Sequence, residues 1–174
     1  MLRLAIVAAI LAAASPSAAQ FKGYFDVSHL ELRELAEPKW GRRMDGGQLL
    51  YLCIAANGCP PPTGLTIKGV LRADRLEDSF ASGDLMPAKL AEQGKANAER
   101  TGSEFLEARA IRVANLPGVH MEAAANLGGK VYFVTKWIGR GERLLDIKAT
   151  SGDLALARKL ADAAAAALVP QVFE

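Results

Sequence analysis

Four strand-like runs follow one another with almost nothing between them, and this constrains the fold more than any other feature. They span residues 105–115, 119–126, 130–138 and 142–150, with Val, Ile, Tyr, Phe and Trp recurring, the residue types that suit a pleated surface. The gaps are Leu116-Pro117-Gly118, Leu127-Gly128-Gly129 and Gly139-Arg140-Gly141. A parallel crossover needs a dozen residues or more, so gaps this short force an antiparallel meander. A three-residue turn at 139–141 sets Phe133 opposite Ile147, Val131 opposite Ala149 and Thr135 opposite Leu145, one apolar face. Val134 then meets Asp146 and Tyr132 meets Lys148, a mixed face. One dry and one half-covered face call for helices on both sides of the sheet.

Two segments supply them. Residues 85–102 read as a helix with Pro87 in its first turn, where the missing N–H costs little. Its apolar stripe is thin (Leu85, Leu90, Ala91, Gly94, Ala98, Thr101), and Lys89, Glu92, Lys95, Glu99 and Arg100 face water. Asp153 caps an Ala-rich helix over 154–168, with Leu156, Leu160, Ala163, Ala164 and Ala167 on its buried side and Pro170 ending it. Upstream, 29–33 alternates as a short strand, 38–47 reads as loop, and 48–55 is apolar enough for a central strand. Prolines 60, 61 and 62 interrupt it before 65–72 resumes, which predicts a hairpin with a long loop; 75–84 reads as a polar connection. The expected fold class is α+β: an antiparallel meander sheet with helices on its faces, in the order β-β-β-α-β-β-β-β-α.

Residues 1–19 have the layout of a cleaved secretory leader. Arg3 is followed by an apolar run from Leu4 to Ala14, then Pro16 and the small residues Ser17-Ala18-Ala19, with cleavage expected after Ala19. The run is too short for a membrane span of about 20 residues, and no cysteine follows for a lipid anchor. Residues 20–174 are then one exported domain, periplasmic or secreted, with no membrane span in the mature form. Arg3 is the one charge in the leader, so 21 Lys and Arg fall to 20 against 19 Asp and Glu. That near-neutral balance argues against nucleic acid as a partner. Cys53 and Cys59 enclose Ile-Ala-Ala-Asn-Gly, and in an exported chain such a pair is a structural disulfide.

Chemistry-bearing residues are few. His120 alternates with Glu122 along one strand, and Arg112 is expected opposite Glu122 across a turn at Pro117-Gly118. This polar cluster could transfer a proton or hold an anion, although a cross-strand ion pair explains it better, since no hydroxyl nucleophile is placed beside His120. No catalytic, cofactor or metal site is assigned: His29 and His120 lie far apart, and the carboxylates lack ligand spacing. The glycines of 126–130 and 139–141 suit hairpin turns better than phosphate cradles. A candidate binding surface combines Trp137, expected across from Arg143, with Arg140 at the tip and Lys136 beside it. It would suit an envelope protein partner or a small anionic ligand.

The stretch from 83 to 173, with its Pro117-Gly118 turn, the strand Val131-Tyr132-Phe133-Val134, one further strand and a long closing helix, resembles the PsbP-like sandwich family. That resemblance implies a small accessory or assembly protein of α+β architecture. The function expected is a non-catalytic exported binding or assembly role. The alternatives are a small periplasmic hydrolase using His120 and Glu122, or a structural subunit of an envelope complex.

Overall fold

The computed structural model describes residues 21–35, 39–54 and 58–173; the expected leader lies outside them. Eight strands and three α-helices follow in order: β1 (Phe21–Phe25), β2 (Trp40–Asp45), β3 (Gln48–Cys53), β4 (Gly64–Arg72), α1 (Leu76–Ala81), α2 (Pro87–Thr101), β5 (Glu104–Val113), β6 (Leu116–Asn126), β7 (Lys130–Arg140), β8 (Arg143–Ser151) and α3 (Leu154–Phe173). All pairings are antiparallel, and the sheet runs β2-β3-β4-β8-β7-β6-β5, with β1 added on β4. The α+β class and the meander from β5 to β8 are as expected from the gap lengths.

The N-terminal strands differ from expectation. Of the expected loop 38–47, residues 40–45 are a strand: β2 and β3 form a hairpin closed by Gly46 and Gly47, at φ 55° and 78°, the double positive φ that a two-residue hairpin turn needs. Residues 29–33 are not a strand. Leu30 and Leu32 are buried core plugs, held by a turn in which the Leu30 N–H donates to the Val27 carbonyl. The connection at 75–84 contains α1. The closing helix runs through Pro170 to Phe173, because Val172 is buried and Phe173 packs on the core beyond the proline. Its first turn is capped as expected, with the amides of Ala155 and Leu156 donating to Asp153 Oδ1 at 2.7 and 3.2 Å.

Each sheet face has its own core. On the first, α3 lays Ala157, Leu160, Ala161, Ala164, Ala165 and Leu168 against Leu65, Ile67, Val134, Ile138, Leu145, Ile147 and Ala149. On the second, α1, α2 and the segment between them bring Leu76, Phe80, Leu90 and Leu85 to Val70, Val119, Met121, Trp137 and Leu144. The β3–β4 hairpin is tied by the Cys53–Cys59 disulfide, Cα–Cα 6.2 Å. Replacing both cysteines by serine is expected to lower stability by about 2 kcal/mol, the chain-entropy value for so small a ring. A lower urea midpoint at unchanged slope checks this.

Candidate functional site

Alternation along β6 sends His120 and Glu122 to the first face, beneath α3. Both are fully buried, at 1% and 2% exposure, so water reaches neither from the sheet side. His120 Nε2 lies 2.7 Å from Glu122 Oε1. From α3, Arg158 Nε donates to Oε1 and Nη2 to Oε2, each at 2.7 Å. This fork-on-carboxylate geometry is the strongest form of side-chain ion pairing. Arg158 first, and the His120 hydrogen bond with it, hold the Glu122 carboxyl below its ordinary value against the opposing effect of burial. Burial pushes the His120 imidazole down, and Arg109 and Lys136 add to the effect while Glu122 opposes it. A neutral imidazole donating from Nε2 leaves Nδ1 as a bare lone pair, and Nδ1 has no partner. One turn along α3, Asp162 accepts from the buried Lys136 ammonium.

Glu107, His120 and Glu122 also offer three ligand-type atoms within 4.8 Å of one another. Their surroundings suit a lock better than a cation site. Both Glu122 oxygens are already engaged, and Arg158, Arg109 and Lys136 line the same space. A dication would have to displace a bidentate guanidinium.

Arg112 does not belong to this cluster. The β5–β6 turn is made by Ala114 and Asn115, at φ 46° and 65°, with Val113 directly opposite Leu116. Pro117 and Gly118 are therefore inside β6, and Arg112 lies exposed opposite Pro117, its Nη1 donating to the Asn115 carbonyl at 3.2 Å. Arg109 and Glu107 stand opposite His120 and Glu122 instead. Arg158 takes the role expected of Arg112. Its signal in the sequence is the spacing Arg158–Asp162, two charges one helical turn apart beside the stripe Ala157, Ala161, Ala165.

The candidate surface of Trp137, Arg140, Arg143 and Lys136 is likewise not assembled. The β7–β8 turn is the two-residue Gly141-Glu142, so Arg140 pairs with Arg143 and Trp137 with Asp146. The expected pairs shift by three residues: Phe133 faces Thr150, and Ile147 faces Lys136. Trp137 is buried on the second face. Lys136 points the other way, beneath α3, and Arg143 covers the Phe25 ring at 4.5 Å. Strand alternation separates residues that the turn expected at 139–141 would have joined.

The same register builds a polar row on the second face that sequence reading missed. Lys68 of β4 lies directly across from Asp146 of β8, and Trp137 of β7 lies on its other side. Two residues along, Lys148 sits between Thr66 and Thr135. The Trp137 indole N–H donates to Asp146 Oδ1 at 3.2 Å. Asp146, Lys68 and Lys148 are half-buried. Burial pushes the Asp146 carboxyl up, opposed by Lys148, Lys68 and the indole. Burial pushes the Lys148 ammonium down, opposed by Asp146. The helices that pack on this face stand at its borders, α2 on β5 and α1 over Trp137, Leu144 and Val70.

No family model and no curated protein matches the chain. Among solved structures it is similar to PA94, a Pseudomonas aeruginosa protein of unknown function: 16% identity, TM-score 0.41, 75% of this chain and 96% of that one. It is similar too to LpqN of Mycobacterium tuberculosis, involved in cell envelope biogenesis: 16% identity, TM-score 0.41, 75% of this chain and 76% of that one. A protein of Bacteroides thetaiotaomicron VPI-5482 aligns with 71% of this chain at 10% identity and TM-score 0.44, and the aligned part is 39% of its own length. Likeness at this level assigns no function. Among the described residues no helix is long and apolar enough to cross a membrane.

Proposed function

We propose that this chain is an exported, non-catalytic binding or assembly protein, one domain of the PsbP-like sandwich type once its leader is removed. The observation that carries this reading is the closed state of the His120–Glu122 pair. His120 and Glu122 are roofed by α3, and the carboxylate is spent on Arg158. A general base needs reach to a substrate proton, and this pair faces a helix. The half-open polar row lies on the opposite face of the sheet, where a ligand or partner can approach. A disulfide and an expected leader both suit the periplasm.

The test uses protein purified from the exported fraction, in which mass spectrometry should find Gln20 first. Nitrophenyl esters and phosphates are expected to give no turnover above buffer, in the wild type and in His120→Gln alike. Saturable hydrolysis that disappears in His120→Gln would overturn the reading and restore the hydrolase alternative.

A further inference from the structure

The sheet ends on β5, and among the described residues no strand pairs with its outer side. Such an edge presents unpaired N–H and C=O groups that another strand can join. What could join it is written in the order of its charges. β5 reads Glu104-Phe105-Leu106-Glu107-Ala108-Arg109-Ala110-Ile111-Arg112-Val113, so acid precedes base about Ala108.

A two-fold axis through Ala108 that adds a second copy antiparallel sets Glu107 opposite Arg109 of the second copy, and Arg109 opposite its Glu107. Within one chain these two side chains stand on one face of the sheet, across from Glu122 and His120 of β6. They pair with each other at 3.0 Å and are 40% and 51% exposed. Two copies would close them into a ring of alternating charge, with the small Ala108 meeting itself on the axis. Opposite charges directly across a strand pair stabilise it, and like charges oppose it. Moving the axis by one residue sets Glu107 on Glu107 or Arg109 on Arg109. Charges on an edge ordinarily guard it against pairing; here their order favours one register over its neighbours.

Apolar surface lies beside the same edge. An open groove of about 540 Å³ runs between α1 and strands β5 and β6, lined by Phe80, Ala110, Pro117 and Arg112. Leu106 is the extra residue of a β-bulge, half-buried and opposite no residue of β6. In the pairing centred on Ala108, Leu106 of each copy falls across from Ala110 of the other, at the rim of that groove. The contact is made twice, as a symmetric joint requires, and it adds to the main-chain hydrogen bonds of strand addition.

We propose that β5 is an interface between two copies of this chain, joined antiparallel about Ala108 into one continuous sheet, with Glu107 of each on Arg109 of the other. This goes beyond the binding or assembly reading above and does not rest on it.

Sedimentation velocity of the exported protein at rising concentration tests the proposal. The wild type is expected to shift toward dimer, and less so as salt rises, because the joining charges are part-exposed. Glu107→Arg and Arg109→Glu each set like charges across the joint and should weaken association roughly tenfold. Mixed in equal amounts, the two variants bring opposite charges back together and should dimerise near the wild-type level. That recovery, with urea midpoints unchanged, separates a lost interface from a damaged fold. A wild type that sediments as monomer at every concentration, single variants that dimerise as it does, or a mixture no more dimeric than its parts would each overturn the proposal.

Discussion

Gly139→Ala is expected to destabilise the protein by about 3 kcal/mol, near the top of the range for overpacking. Gly139 lies in β7 opposite Leu144 of β8. A Cβ built there would come closer than 3.0 Å to the Arg143 carbonyl oxygen, with Leu76 Cδ2 at 3.1 Å and the Leu144 Cα at 3.2 Å. Two of these three neighbours are backbone, so no rotamer change relieves the contact. The strands would have to part at the end of the hairpin, and α1, which seats Leu76 on this spot, would lift with them. Gly129→Ala is the control, since nothing lies within 4 Å of its Cβ position and its φ is not positive. It should fall within about 0.5 kcal/mol of the wild type. Urea unfolding of the two variants decides the matter, and equal midpoints would show that β7 and β8 are less tightly set than described.

The meander was legible because gap length leaves no alternative, and the disulfide because five residues separate two cysteines in a chain whose first residues read as a leader. Register was not legible, for a local reason. Each short gap offers several places to turn, and tolerance of positive φ does not choose among them: Ala114 takes φ 46°, while Gly118 stays inside β6. The chain turns at Ala114-Asn115 in place of Pro117-Gly118, and around Gly141 in place of residues 139–141. Both shifts are odd in their effect on pairing, so each exchanges the faces of one strand relative to its neighbour. That is why Arg112 leaves the His120 cluster, and why Asp146 meets Trp137.

The candidate sites suffered most from this. His120 and Glu122 share a face by alternation within one strand, which needs no register, and they were found. Arg158 comes from a helix 36 residues away from Glu122, a distance at which periodicity says nothing. The Lys68–Asp146–Lys148 row needs the pairings of β4, β8 and β7 at once. Helix ends were read well where caps speak, as at Asp153 and at Gly102, which ends α2 in the left-handed region at φ 67°. They were read poorly at Pro170, where burial of Val172 and Phe173 outweighs the lost hydrogen bond.

Arg158→Ala is expected to lower the urea midpoint clearly at neutral pH, because it leaves the buried Glu122 carboxylate without its partner. Arg158 itself is half-exposed, and that lets some water reach the site in the variant. Glu122, at 2% exposure, would otherwise keep its charge against a neutral imidazole and the underside of α3. Glu122→Gln retains hydrogen-bonding capacity without the buried charge and should cost about 1 kcal/mol. The double variant should then be less damaged than the two losses added, the signature of coupling. Acid response follows from the same group. Glu122 is held below its ordinary 4.5, so its contribution is complete above that value and lost as pH falls below it. His120 is held below its ordinary 6.5 by burial, so between its folded value and 6.5 the unfolded chain takes the proton more readily. Stability must therefore rise with pH through that window. Acidification costs stability twice, first from about pH 6.5 through His120 and then below about pH 4.5 through Glu122. Urea midpoints measured at about pH 8 and about pH 5 should differ clearly in the wild type, and less in His120→Gln. If Arg158→Ala unfolds at the wild-type midpoint, the pair does not fasten α3 to the sheet, and the closed reading of His120 and Glu122 loses its physical basis.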